Sequence, residues 1–157
     1  MPNWCDNFVT FEHDDSAKVL KLCEALEDGK GLNYLHPMPK ELEGTTASHF
    51  GGINWYTWCV EHWGTKWDLT LDETPMIVDN TLSFNFQSAW APPIGAYEKA
   101  YDDGWTVSAT FCEPSMDFIG TFEEGSEASY SLSDAPNELK EDYVWAYDDE
   151  EEDDIQF

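Results

Sequence analysis

Residues 81–111 read TLSFNFQSAWAPPIGAYEKAYDDGWTVSATF, and their pattern predicts a strand, a helix and a second strand in succession. Leu82, Phe84 and Phe86 alternate with Ser83, Asn85 and Gln87, the period-two signature of a strand with one wet face. Pro92 and Pro93 suit the first turn of a helix that carries Ile94, Tyr97 and Tyr101 on one side and ends at Gly104. Trp105, Val107, Ala109 and Phe111 then alternate again as the next strand.

The same order stands upstream. Phe8, Val9 and Phe11 place a first strand over Asn7 to Glu12, stopped by His13-Asp14-Asp15. A helix follows, with Asp14, Asp15 or Ser16 as its cap, Val19, Leu20, Leu22, Cys23 and Leu26 at helical spacing, and Gly29 at its end. Lys30 to Thr46 reads as irregular, with at most brief pairing at Leu32, Tyr34 and Leu35, because Pro37, Pro39 and Gly44 interrupt it. Trp55, Trp58, Cys59 and His62 recur at three and four and predict a short helix over Asn54 to Trp63, ended by Gly64. Trp67, Leu69 and Leu71 alternate with Asp68, Thr70 and Asp72 and predict a strand. After residue 111, Asp117 to Phe122 and Ala128 to Leu132 read as a hairpin around Glu124-Gly125. A last short helix, with Asp134 as its cap, is expected through Tyr147, docking by Leu139, Tyr143 and Tyr147. The seven consecutive acids Asp148 to Asp154 bury nothing and are expected to be mobile.

Strand, helix, strand, strand, helix, strand is the order of the ferredoxin-like split βαβ plan: an antiparallel sheet with two helices on one face. Here that plan is expected with a short helix inserted before the second strand and a hairpin and an acidic helix and tail added at the end. The expected organisation is one domain over residues 1–133, followed by an acidic segment over 134–157.

Charge bounds the function. Thirty-three carboxylates face seven lysines and no arginine, a formal net charge of −26, and most of the excess precedes residue 134. An acidic folded body repels itself, so either general solubility or a useful field accounts for it. A compact chain of this length is about 40 Å across. Duplex DNA carries one charge per roughly 1.7 Å, so 26 charges match about 44 Å of duplex. Direct nucleic-acid binding is therefore not expected, whereas occupation of a basic protein groove is. Hydrophobic residues at 41% and aromatic residues at 15% are ample for a core. The opening Met1 to Asp6 has neither a basic region nor an apolar run, and nowhere do 18 apolar residues follow one another, so a cytoplasmic protein with no membrane contact is expected. Cys5, Cys23, Cys59 and Cys112 include no CxxC pair and are expected as buried thiols.

Four stretches occur in order: Met1-Pro2-Asn3-Trp4-Cys5-Asp6-Asn7, Leu35-His36-Pro37-Met38-Pro39-Lys40-Glu41-Leu42, Trp58 to Asp68 (WCVEHWGTKWD), and Ala89-Trp90-Ala91-Pro92-Pro93. Together with Glu113-Pro114 and Phe118-Ile119-Gly120 they resemble the YubB-type ferredoxin-like proteins of phages and conjugative plasmids, over roughly residues 1–133. The resemblance implies a ferredoxin-like fold and an accessory role in a phage or mobile element within a bacterial host. It brings no reaction, cofactor or catalytic residue.

The split βαβ plan brings the start of strand one beside the ends of strands three and four and the start of strand two. Asn3, Trp4, Lys66, Trp67, Trp90 and Glu113 are therefore expected at one end of the sheet, the make-up of a small ligand pocket or a peptide-docking corner. Packing tryptophans and a lysine stem laid on rings are the structural alternative. Cys59 and His62, with His36 and His49 upstream, fall short of the three or four assembled donors zinc requires, so no metal or cofactor is expected. No GxSxG, HExxH or phosphate-binding glycine loop occurs, and acid pairs such as Asp102-Asp103 and Glu123-Glu124 read as solvated turns. The expected function is thus non-enzymatic: an acidic accessory protein that binds a basic surface of a host nucleic-acid-handling or defence protein as a DNA mimic. Glu24, Glu27, Asp28, Asp68, Asp72, Glu73, Asp79, Asp102 and Asp103 are the candidate partner-binding surface. The alternative is a small-molecule binder or enzyme using the tryptophan-lined sheet end.

Overall fold

A computed structural model describes residues 3–42 and 54–147. It is a mixed α+β structure built on one open, antiparallel six-stranded sheet. The strands are β1 (Trp4–Glu12), β2 (Met76–Val78), β3 (Thr81–Ala89), β4 (Thr106–Glu113), β5 (Phe118–Glu123) and β6 (Ser126–Tyr130), in spatial order β2-β3-β1-β4-β5-β6. The helices are α1 (Ser16–Glu27), α2 (Gly31–Leu35), α3 (Trp55–His62), α4 (Ile94–Asp102) and α5 (Asn137–Asp142).

Alternation along β1 decides which side of the sheet is dry. Cys5, Asn7, Val9 and Phe11 are buried, whereas Trp4, Phe8 and Glu12 are exposed. The odd positions lie under the helices, in a core shared by Leu22 and Leu26 of α1, Leu32 of α2, Cys59 of α3, Tyr97 and Ala100 of α4, and Phe84 and Phe86 of β3. Burying each such side chain contributes roughly 1.5–3 kcal/mol, enough to fix the register of every strand. A second, smaller cluster forms on the other face, where Ala135, Leu139 and Tyr143 cover Cys112 and Ile119. The C-terminal helical segment therefore roofs only the β4–β5 side of that face.

Caps fix the helix starts. Asp15 accepts a hydrogen bond from the Ala17 N–H at 3.0 Å to open α1, and Asn54 and Thr57 form a reciprocal capping box at α3. Where α3 ends, α4 begins against it: the Ala96 N–H donates to the Trp63 carbonyl at 3.3 Å. A Cβ on Gly95 would run into the His62 carbonyl, a backbone group that no rotamer change can move.

Three expectations are corrected. Residues 67–72 form no strand; the partner of β3 is the three-residue β2, further along the chain. Asp68 is the reason. Its carboxylate accepts the N–H groups of Leu32 and Asn33 at 2.8 and 2.9 Å, capping α2, and that anchor bends the chain away from β3. Leu32, Tyr34 and Leu35 lie in α2 instead of pairing as a strand, since Asp68 supplies acceptors for the first N–H groups of that turn. The last helix is not one run from Asp134 to Tyr147: Pro136 takes the N-cap position of α5, which closes at Asp142 before a turn at Tyr143, with 144–147 helical again. His49 and the acidic run from Asp148 to Asp154 lie outside the described residues.

Gly95→Ala is expected to destabilise the protein by roughly 1–3 kcal/mol, as overpacking does when backbone must shift. Urea unfolding of the two proteins checks this, with an unchanged midpoint as the contrary result.

Candidate functional site

The half of the second sheet face that α5 leaves open is a groove of about 1440 Å³. Its floor is the outward side of the two central strands: Asp6 and Phe8 of β1 beside Asn85 and Gln87 of β3, paired Asp6 with Gln87 and Phe8 with Asn85. One wall is Tyr143 and Trp145, held where the Tyr143 hydroxyl meets Thr110 Oγ1 at 3.0 Å. The opposite rim is the chain from Trp67 to Met76.

Aromatic and apolar groups stand open here. Trp4, Phe8, Trp67 and Trp145 are each about two-fifths exposed, and Met76 is 66% exposed. Trp4 and Trp67 pack with ring centroids 6.1 Å apart. The Lys66 ammonium sits 4.5 Å from the Trp67 ring and 5.6 Å from that of Tyr56, so one indole face already holds a cation.

The charges that line the groove have one sign. Asp6, Asp68, Asp72, Glu73 and Asp142 are among its lining residues, and among the described residues no lysine or histidine is, the nearest cation being Lys66 over the Trp67 ring. Burial raises the Asp6 carboxyl above the usual carboxylate range, the Gln87 amide bond at 3.0 Å pulls it back, and the Glu113 charge pushes it further up. The sole ion pair among the described residues is Lys99 with Asp103 at 3.2 Å, on exposed α4.

The expected sheet-end cluster assembles in part. Trp4, Lys66 and Trp67 meet, and the Asn3 carbonyl accepts the Trp90 N–H at 2.8 Å, extending the β1–β3 ladder by one bond. Trp90 lies outside the groove lining, at φ 67° in the left-handed region, which is rare for a bulky residue. Glu113 is separated from the others. It is 2% exposed and its carboxylate accepts from the N–H and hydroxyl of Ser115.

The candidate acids divide between faces. Glu24, Glu27 and Asp28 lie on and just past α1, and Asp102 and Asp103 at the end of α4, all on the helix side. Asp79 occupies the β2–β3 turn, while Asp72 and Glu73 edge the groove. Asp68 is partly buried, and both of its oxygens accept backbone N–H groups. Asp6, Phe8, Asn85, Gln87, Asp142 and Trp145 went unread as site residues. The signal was present in β1, where Trp4, Asp6 and Phe8 share the outward phase of the alternation.

The four cysteine thiols are all held above their ordinary range. Burial pushes the Cys112 thiol up to about 12 and the Cys59 thiol to about 11, and raises Cys5 beyond both. Cys59 faces the Met38 sulfur at 3.9 Å, and His62 stacks on Trp58 with its Nδ1 3.0 Å from the Trp58 carbonyl. No group of three potential metal ligands gathers among the described residues. No helix among them is long and apolar enough to cross a membrane.

Comparison with family models, with curated proteins and with solved structures finds no match.

Two substitutions separate the structural acid from the groove acid. Asp68→Ala is expected to cost roughly 1–3 kcal/mol in urea unfolding, because three backbone donors lose their acceptor. Asp6→Asn is expected to do the reverse near neutral pH. The folded Asp6 carboxyl binds its proton at higher pH than the unfolded one, so its ionised form opposes folding at pH 7 and stability is regained as pH falls through the folded pKa. The variant should be more stable at pH 7 by no more than about 1 kcal/mol, given the remaining water around a half-buried group, and the gain should fade near pH 4.

Proposed function

We propose that this chain is a non-enzymatic binding protein that engages a basic surface of a partner protein. The observation that carries the reading is the groove: exposed rings and a set of carboxylates line it, with no basic side chain among them. A positively charged partner would supply the missing counter-charge while covering aromatic area, and cations are attracted to aromatic faces. Nucleic acid would meet the same carboxylates with like charge.

The strand order β2-β3-β1-β4, with α1 and α4 as the crossovers, supports a ferredoxin-like plan extended by β5 and β6 at one edge. The sequence stretches that resemble the YubB-type proteins are the support for an accessory role in a phage or mobile element, with a host nucleic-acid-handling or defence protein as the partner. Mimicry of DNA is the mode favoured by the charge: a net −26, with a single ion pair among the described residues. The small-molecule alternative is weaker, because the groove exceeds the roughly 300–1,000 Å³ typical of such pockets.

Purified protein, immobilised and exposed to bacterial lysate, should retain DNA- or RNA-binding proteins that duplex DNA displaces. Affinity for the captured partner should fall roughly tenfold or more between low and physiological salt. Retention indifferent to both salt and DNA would overturn the reading.

A further inference from the structure

β3 is unequally partnered. All nine of its residues pair with β1, whereas only Thr81, Leu82 and Ser83 pair with β2 on the other side. The phase of the free stretch follows from the hairpin. Val78 and Thr81 flank the two-residue turn Asp79-Asn80, so they exchange the closing hydrogen bonds, and the backbones of Thr81 and Ser83 point at β2. By alternation, those of Asn85, Gln87 and Ala89 point the same way. Independent bonds agree with this phase. The Asn80 carbonyl and the Trp90 N–H, both of opposite parity, bond to His13 and Asn3 on the β1 side, while the Ala89 carbonyl accepts the Thr65 hydroxyl at 3.1 Å. Among the described residues, no backbone hydrogen bond reaches the outward N–H and C=O of Asn85 or Gln87. Residues 83–89 line the groove without a gap, as an open strand edge would.

We propose that this edge is a strand-addition site: an extended, lysine- or arginine-bearing segment of a partner protein pairs with Asn85 and Gln87, between β3 and the 67–74 rim. The inference rests on the reading of the chain as a binder of basic protein surfaces and names where and how that binding occurs. An open edge supplies main-chain hydrogen bonds, and alternate side chains of the guest supply specificity. The charge selects the guest. Asp72 and Glu73 stand on the rim and Asp6 on the floor, with no basic side chain among the groove's lining residues. A second copy of this chain would bring its own acids against the same rim, and like charges oppose that pairing.

The probe is an alternating lysine–valine peptide of about eight residues, a typical strand length, titrated at low salt alongside flexible polylysine. The expected result is saturable peptide binding that falls tenfold or more in Asn85→Pro. Proline there removes an outward donor while leaving the β1 ladder, a placement that edge strands tolerate. Circular dichroism and urea unfolding confirm that the variant is folded. A parallel pair of peptides keeps the test decisive if it is not: N-methylation on one edge of the guest strand should abolish binding, and on the other edge should spare it. Equal binding of both methylated peptides overturns the strand-addition site while leaving the charge reading intact. Failure of both polylysine and the peptide to bind overturns the charge reading as well. A concentration-dependent dimer that Asn85→Pro dissolves identifies a second copy as the occupant and also overturns the proposal.

Discussion

A carboxylate that caps one helix leaves most of one edge of β3 without a neighbouring strand among the described residues. Asp68 accepts from Leu32 and Asn33, and that pair of bonds holds the 67–72 segment against α2. Leu69 is buried in the helix-side core and Leu71 packs against it. The segment's alternating pattern is thus spent on filling the core, not on extending the sheet. Desolvation raises the Asp68 carboxyl, and the N–H groups of Leu32, Asn33 and Leu69 pull it back, so the charge is held in place by backbone donors. The open edge follows from this: a short β2, a long β3, and the 67–76 segment as the rim of the groove.

The fold was legible where period and punctuation agreed. Even positions of β3 announced its dry face, and Gly29, at φ 75°, the end of α1; of the three capping candidates Asp14, Asp15 and Ser16, Asp15 is the one that caps. Residues 67–72 were misread because alternation records only that every second residue is buried. A chain hooked by one side-chain cap can satisfy the same pattern without a ladder. That hook joins positions 36 apart in sequence, a relation that local periodicity does not carry.

The site was half legible for a related reason. Topology brought Trp4 to Trp67, yet Glu113 fell on the helix side, since Asp6 pairs with Cys112 and the next residue faces the other way. A one-residue change of phase moves a side chain across the whole sheet. The open half-face itself depends on how far α5 reaches, and nothing in the sequence states that Leu139 and Tyr143 stop at Cys112 and Ile119.

Among the described residues, the backbone of β3 is free on one side at Asn85 and Gln87, and amide hydrogen exchange of the isolated protein reads this residue by residue. An alternating record is expected, with Phe84 and Phe86 protected by β1 and Asn85 and Gln87 exchanging orders of magnitude faster. Uniform protection from Phe84 through Gln87 would contradict it, because a neighbouring strand would then already be in place.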